Sequence, residues 1–208
     1  MTFTRVEMQD WPRREAFEHY FREVPCSYSA VFRLDITRLR RSGKKLYPSM
    51  LYRLATVVNR HQELRMALDG EGKVGFYDVV HPCYTVFHPQ SESFSNLWTR
   101  YEPDEAAFFE AYERDLAAYG KLPGMNPKPG TPPNSFPVSM VPWASFQGFN
   151  LNLQKGYDYL PPIFTMGKFE EESGKILLPL AVQLHHAVCD GFHLCRLVNE
   201  LQDLLQSL

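Results

Sequence analysis

Several features that would assign a protein to a specialised class are scarce in this sequence. Its 208 residues include four cysteines at irregular spacing, which excludes a disulfide-bonded scaffold and predicts reduced thiols. The formal net charge is −2, so the chain lacks the excess of Lys and Arg that nucleic-acid binding requires. The longest apolar run, 176–182, has seven residues including a proline, whereas a membrane span needs about 20. No basic start followed by an apolar stretch precedes Trp11, so no secretory leader is expected.

These absences predict a soluble, cytoplasmic protein that has neither a membrane nor a nucleic acid as its partner. Aromatic residues, in contrast, make up 14% of the chain and favour a packed core. Because about 150 residues is the usual size of a domain, 208 residues fit one large domain or two very small ones. One basic cluster is interpreted either as a solvated loop or as a site for an anionic cofactor: Arg38, Arg40, Arg41, Lys44 and Lys45.

Periodicity and capping residues predict the helices. The clearest helix is the last, because apolar residues recur at every third or fourth position of 194–205 and Asp190 is a suitable N-cap. A long helix is expected at 105–120, where acidic residues of the first turn complement the helix dipole. Two further helices are expected to begin at Trp11, with Asp10 as the N-cap, and at about Pro48.

Alternating and apolar runs predict the strands. Residues 26–35 alternate in polarity, and a glycine-containing turn at 69–72 indicates a hairpin. The proline-rich stretch 121–137 is predicted to be a loop ordered by packing or a linker within the domain. Other strands are expected at 84–88, 138–143, 149–153, 163–169 and 176–186. This order predicts an α+β fold, a two-layer sandwich with a mixed β-sheet flanked by helices.

The segment 185–193, His-His-Ala-Val-Cys-Asp-Gly-Phe-His, carries the most specific chemistry. His185 and His186 end an apolar strand, so their side chains are expected on opposite faces, where they cannot easily hold one metal ion. Cys189, His193 and Cys195 do not reproduce a usual zinc spacing either, and we expect no metal. A histidine at the end of a buried strand is suited to general-base catalysis, while two histidines satisfied within the core are the alternative.

The motif His-His-x-x-x-Asp-Gly resembles that of the CoA-dependent acyltransferases, and the longer run through His193 is similar to the chloramphenicol acetyltransferases among them. The resemblance covers essentially the whole chain and implies a single catalytic domain over residues 1–208, with no room for a carrier domain. Further segments match in the same order: 11–15, 25–26, 63–66, 85–88, 139–143 and 149–152.

The resemblance implies a role for each matching residue. His186 corresponds to the general base that takes the proton of an acceptor hydroxyl, which then attacks acetyl-CoA directly. Ser139 corresponds to the hydroxyl that stabilises the oxyanion, and Thr165 to a threonine that supports the same intermediate through a water. Asp190 and Arg13 correspond to a buried ion pair that shapes the site, and removal of one partner of such a pair costs about 3–5 kcal/mol.

The resemblance also implies the substrates, acetyl-CoA and chloramphenicol, and a homotrimer with its active sites at subunit boundaries. The expected activity is acetylation of the primary hydroxyl of the antibiotic, which confers resistance. His19 departs from the family, because an aromatic residue usually stands at this position. Another apolar alcohol therefore stays open as the acceptor. A non-catalytic or metal-binding module on the same scaffold is a separate alternative. The residues that match the acceptor pocket are Tyr20, Cys26, Phe94, Phe149, Leu151 and Thr165.

Overall fold

The central element of the computed structural model is a seven-stranded mixed β-sheet. The structure describes residues 1–153 and 158–207. Six strands follow the order β2-β10-β8-β7-β5-β6, and the short strand β9 pairs with β10. β7 runs parallel to β5 and to β8, while the other neighbours are antiparallel. The bounds of these strands are β2 Ser27–Asp35, β5 His81–His88, β6 Ser93–Trp98, β7 Ser135–Val141, β8 Ile163–Gly167, β9 Glu170–Glu172 and β10 Lys175–His185.

Three short strands form a second sheet, which shares no strand pairing with the first. Its order is β1-β4-β3, and both pairs are antiparallel. The pair β3 and β4 is the hairpin that the turn at 69–72 predicts. The three strands are β1 Phe3–Arg5, β3 Met66–Leu68 and β4 Val74–Tyr77.

The helices pack against one another and against the central sheet. α3 packs against α5 and β5, and α5 also packs against β2. Leu180, Val182 and Leu184 alternate along β10 and are at most 1% exposed, as are Leu197 and Leu201 of α5 in the same core. In the described residues, no helix is long and apolar enough to span a membrane. The helices are α1 Arg14–Glu18, a π-helix His19–Glu23, α2 Thr37–Arg41, α3 Leu46–Arg60, a 3₁₀ helix Gln62–Arg65, α4 Glu105–Tyr119 and α5 Gly191–Gln206.

The proline-rich stretch before β7 is a loop held by packing, which decides between the two predicted alternatives. Lys128 forms an ion pair with Asp115 of α4, at 2.7 Å between Nζ and Oδ1. Its ammonium also donates to the carbonyl oxygen of Trp98 at 2.8 Å and lies 3.7 Å from the centroid of that indole ring. A partly desolvated cation over an aromatic face is a favourable contact, so the loop is anchored to α4 and β6.

The predicted α+β fold with a mixed sheet is confirmed, but two predicted elements are wrong. The first helix begins at Arg14 and not at Trp11, and its N-cap is Arg13 instead of Asp10. The predicted strand 149–153 is an irregular segment outside both sheets. Both predictions rest on local signals, whereas Arg13 and Leu151 form hydrogen bonds with residues that are distant in the sequence.

Candidate active site

His186 lies just beyond β10, and aromatic rings hold its imidazole. The ring stacks on Tyr20 with 3.9 Å between centroids and 5° between planes, and it meets the edge of Tyr28 at 5.3 Å. Its backbone N–H donates to the carbonyl oxygen of Cys26 at 2.9 Å. Tyr20 belongs to the π-helix His19–Glu23, a widened turn of the type that is frequent at functional sites. The plane of the imidazole is therefore set by its neighbours.

The two ring nitrogens of His186 have different surroundings. Nδ1 is buried and has no hydrogen-bond partner within the part of the chain that the structure describes. The side chain as a whole is half-buried. Because a ligand cannot reach a buried nitrogen, Nε2 is the atom of this ring that is suited to exchange a proton with a substrate.

Arg13 holds the turn that follows His186. Its Nη2 donates to the carbonyl oxygen of His186 at 2.9 Å, and its Nε donates to that of Ala187 at 2.9 Å. Its Nη1 donates to Oδ2 of Asp190 at 3.0 Å. Three hydrogen bonds from one planar guanidinium define the path of the backbone across the turn, because the fork of donors is rigid.

Asp190 caps α5 and joins this network. Its Oδ1 accepts a hydrogen bond from the backbone N–H of Phe192 at 3.0 Å and lies 2.8 Å from Nδ1 of His193. The backbone N–H of Asp190 in turn contacts Nδ1 of His193, so a capping box closes the helix start. The N-cap predicted at this position is confirmed.

The ion pair between Arg13 and Asp190 is less buried than the sequence resemblance implies. The Arg13 side chain is 18% exposed and the Asp190 side chain 39% exposed. Water therefore screens the pair, and the expected cost of 3–5 kcal/mol for a fully buried pair does not apply. Partial burial raises the pKa of Asp190, but the hydrogen bond from Arg13, the charges of His193 and Arg13 and the N–H of Phe192 outweigh it and lower the pKa to about 2.

Replacing Asp190 by asparagine is expected to destabilise the protein at neutral pH, with an effect that fades in acid. Folding lowers the pKa of the carboxyl from 3.8 to about 2. Ionised Asp190 therefore stabilises the folded state fully at pH values above 3.8. This contribution is lost as the pH falls towards 2. The difference in Tm between wild type and Asp190→Asn, measured by scanning fluorimetry, should narrow between pH 5 and the lowest pH at which both fold.

Asp203→Asn is the matched control for that measurement. Asp203 lies on the same helix and is exposed, and its side chain forms no hydrogen bond or ion pair with the described residues. Its substitution should leave Tm nearly unchanged at every pH. A gap between wild type and Asp190→Asn that stays constant down to pH 3 would contradict the linkage.

Ser139 and Thr165 lie side by side on neighbouring parallel strands. They are directly opposed in the register of β7 and β8, and their hydroxyl oxygens are 3.0 Å apart. Thr165 is only 2% exposed, whereas Ser139 is half-buried and reaches the wall of a cavity. If Thr165 donates to Ser139, the hydrogen of the Ser139 hydroxyl is free to point into the cavity.

The cavity beside Ser139 is large and mainly apolar. Its volume is about 870 Å³, which lies within the range of pockets for drug-sized ligands. Phe87 and Trp143 meet edge to face at 4.7 Å on its wall. Phe94 and Leu151 also line it, and both are more than 40% exposed. Exposed apolar side chains around one opening indicate a surface that takes up a ligand, a partner or both.

The residues that match the family's acceptor pocket fall into two groups in a single chain. Phe94 and Leu151 line the cavity, and Thr165 lies behind Ser139. Phe149 packs on Phe146 at 5.2 Å in the irregular segment 144–153, next to Leu151. Tyr20 and Cys26, in contrast, lie beside His186.

A single chain does not bring His186 to Ser139. Ala181 of β10 pairs with Thr165, which pairs with Ser139, so all three lie at one level of the sheet. From Ala181 to the end of β10 the strand advances by about 13 Å, and the two strand spacings between β10 and β7 add about 10 Å across the sheet. His186 is not among the described residues that line the cavity.

The basic cluster of 38–45 lies far from His186 and is largely paired within the chain. Lys44 contacts Glu105 and Lys45 contacts Glu113, each at 2.7 Å. Arg38 donates to the backbone carbonyl of Gln206 at the opposite end of α5, a helix of 16 residues and hence about 24 Å long. The interpretation of this cluster as a site for an anionic cofactor therefore has no support from its position relative to His186. The alternative of a loop is wrong for Arg38, Arg40 and Arg41, which belong to α2.

Three contributors to these sites are absent from the sequence prediction. Tyr28 contacts the edge of His186, His193 binds Asp190, and Gln183 binds the backbone of Leu151. Gln183 is a polar residue within an apolar run, which is the signal that could have found it. Among residues 1–153 and 158–207, no three His, Cys, Asp or Glu side chains form a group that could hold a metal ion.

Solved structures of acetyltransferases share this fold. A chloramphenicol acetyltransferase superposes with a TM-score of 0.87 at 20% identity, over 98% of this chain and all of that one. A dihydrolipoamide acetyltransferase of Azotobacter vinelandii superposes with a TM-score of 0.62 at 20% identity, over 92% of this chain and 85% of that one. The chain therefore has the fold of these acetyltransferases.

Sequence comparison narrows this class to one family. The family model described as chloramphenicol acetyltransferase matches residues 1–202. The chloramphenicol acetyltransferase of Campylobacter coli is 55% identical over 207 residues, all of both chains, and that of Vibrio anguillarum is 55% identical over 208 residues, all of this chain and 96% of that one. This chain belongs to the chloramphenicol acetyltransferase family, which confirms the resemblance noted from its motifs.

Proposed function

We propose that this enzyme transfers the acetyl group of acetyl-CoA to the primary hydroxyl of chloramphenicol and thereby inactivates the antibiotic. The observation that carries the proposal is a hydroxyl, that of Ser139, on the wall of an apolar cavity of drug-sized volume. The full-length identity of 55% to chloramphenicol acetyltransferases supports the same substrates. We further propose that residues 1–208 form one catalytic unit and that it works in the cytoplasm, where its four free cysteines stay reduced.

His186 acts as the general base in this proposal. Its Nε2 takes the proton of the acceptor hydroxyl while that oxygen bonds to the thioester carbon of acetyl-CoA. The C–S bond then breaks, and the proton on Nε2 passes to the departing thiolate. Stacking on Tyr20 keeps the imidazole in one plane, which reduces the entropy lost on reaching the reactive geometry.

Ser139 stabilises the negative charge that develops on the thioester oxygen. Thr165, almost fully buried beside it, holds the Ser139 oxygen at 3.0 Å so that the serine hydrogen can be donated to the oxyanion. Arg13 and Asp190 are supporting residues, because they fix the carbonyls of His186 and Ala187 rather than relay the proton. No metal takes part in these steps.

We also propose that the active site is assembled between copies in a homotrimer. His186 and Ser139 lie on separate parts of a single chain, whereas a reacting atom must lie about 3 Å from each partner. The exposed apolar residues around the cavity provide a surface for a second copy. A cyclic trimer then pairs the His186 end of each subunit with the cavity of the next.

Co-expression of His186→Ala and Ser139→Ala chains is expected to restore activity that neither variant has alone. In a cyclic trimer containing both variants, one interface joins an intact His186 to an intact Ser139. Because purification through both tags retains only mixed trimers, the sample should recover about a third of the wild-type activity. The measurement is kcat per chain after co-purification with two affinity tags, with the mass from light scattering expected at three times that of one chain. Mixed trimers without activity would show that each chain contains its own site.

A thiol-release assay with acetyl-CoA and chloramphenicol tests the proposed reaction directly. Release of CoA should depend on chloramphenicol and should fall to background in His186→Ala. A panel of other apolar primary alcohols, compared by kcat/KM, tests the alternative acceptor suggested by His19. In the structure Nδ1 of His19 lies 2.8 Å from Glu23, and the His19 ring packs on Tyr20, which stacks on His186.

A further inference from the structure

Gln183 forms two hydrogen bonds with the backbone of one residue across the sheet face. Its Oε1 accepts from the N–H of Leu151 at 2.8 Å, and its Nε2 donates to the carbonyl oxygen of Leu151 at 3.0 Å. The Gln183 side chain is buried, with the residue only 7% exposed. Its carboxamide therefore replaces the peptide group that a neighbouring strand would offer to Leu151, and it satisfies both polar atoms of that residue.

The segment that Gln183 holds is the irregular one at 144–153. Near its start, the carbonyl oxygen of Ala144 accepts from the N–H of Lys168 at 2.8 Å. Phe146 packs so closely on Gly167 that a Cβ there would lie 2.8 Å from its ring. These contacts anchor the first part of the segment. The two hydrogen bonds between Gln183 and the backbone of Leu151, called the clamp below, anchor the part that carries Leu151.

Leu151 connects this clamp to substrate binding. It lines the cavity, and the residue is 42% exposed. Gln183 lies on β10, the strand that ends at His185 and leads into His186. Since β10 is hydrogen-bonded on both sides, by β2 and β8, it is a rigid support for the segment.

We propose that Gln183 is a positioning residue that sets the acceptor-binding wall formed by Leu151. The inference rests on the proposed function, because it assigns the cavity to chloramphenicol. Without the clamp, the backbone of Leu151 has two unsatisfied polar groups next to an apolar wall, and the segment must move to hydrate them. The affinity for the acceptor falls as a result, whereas groups that act on the acetyl donor are unaffected.

The chain offers a matched control at Gln202 of α5. Its Oε1 accepts from the N–H of Asp35 at 2.8 Å, and its Nε2 donates to the carbonyl oxygen of Asp35 at 3.0 Å. The geometry is the same clamp of a carboxamide on a peptide group. Neither Gln202 nor Asp35 is among the described residues that line the cavity. Variants of Gln202 therefore measure the loss of stability that follows from removing such a pair of hydrogen bonds away from the cavity.

The experiment compares Gln183→Glu and Gln183→Met with Gln202→Glu and Gln202→Met in the full chain. Glutamate keeps the acceptor atom but loses the donor to Leu151, and methionine keeps the length of the side chain without either polar atom. Both Gln183 variants should raise the KM for chloramphenicol by about tenfold, with kcat and the KM for acetyl-CoA within about threefold of wild type. The Gln202 variants should lower Tm and leave both KM values unchanged.

The outcomes separate this inference from the function on which it rests. A wild-type enzyme that does not acetylate chloramphenicol would overturn the proposed function and the inference together. Wild-type turnover with an unchanged KM for chloramphenicol in Gln183→Glu would overturn the inference alone. A parallel rise in both KM values, or the same kinetic change in the Gln202 variants, would assign Gln183 a structural role only.

Discussion

Replacing His186 by alanine is expected to lower kcat by about 10²–10⁴-fold, the usual contribution of a general base. The half-buried imidazole, stacked on Tyr20 and followed by a turn that Arg13 holds, is the group we propose to deprotonate the acceptor. Without it, the acceptor hydroxyl must attack while still protonated. The KM values should change little, because the base acts in the transition state more than in the ground state.

The measurement is thiol release at saturating acetyl-CoA and chloramphenicol, with Tm recorded for each variant. His61→Ala is the control, because His61 is also a partly buried histidine with one polar partner, Glu200, at 2.8 Å. It lies at the end of α3 and outside the described lining of the cavity. Its kcat should match that of wild type. If His186→Ala folds and keeps more than a tenth of wild-type kcat, His186 is not the base.

Replacing Ser139 by alanine is expected to lower kcat by about 10²–10³-fold, the usual cost of one lost oxyanion donor. The hydroxyl of Ser139 is a polar group at the cavity wall, and its oxygen lies 3.0 Å from the hydroxyl oxygen of the neighbouring Thr165. Alanine removes the donor but keeps the backbone of β7. The KM for chloramphenicol should stay within a few-fold of wild type, since the bond to the oxyanion is made only in the transition state.

Two further variants make the Ser139 result specific. Ser49→Ala in α3 removes a buried hydroxyl that has no hydrogen-bond partner among the described residues, and it should leave kcat unchanged. Thr165→Val keeps the shape of the side chain and removes the hydroxyl that positions Ser139, so a smaller loss of kcat is expected than for Ser139→Ala. Equal kcat in Ser139→Ala and wild type would exclude the oxyanion role.

The predictions that succeeded from sequence have local physical causes. The periodic leucines of α5 and the capping Asp190 act within one or two helical turns, so pattern and structure agree. The same holds for α4, where the Asp104 side chain accepts from the N–H of Ala107. The motif around His186 also lies within one short segment, which is why it is recognisable without a structure.

The predictions that failed involve residues bound to distant parts of the chain. The segment 149–153 alternates like a strand, but the Gln183 side chain, 32 residues from Leu151, takes the place of a neighbouring strand. The first helix begins late at Arg14, and the preceding Arg13 binds carbonyls more than 170 residues away. The periodicity of a short segment gives no information about partners that are distant in the sequence.

The sequence alone determined the family, the α+β class and the identity of the residues that we expect to perform the chemistry. Only the tertiary structure decided how these residues are arranged: Ser139 beside Thr165 on parallel strands, and His186 beside Tyr20 at another level of the sheet. The register between strands that are far apart in sequence sets this arrangement, because each pairing depends on the packing of the whole sheet. The separation of His186 from Ser139 is the observation from which we propose an active site shared between subunits.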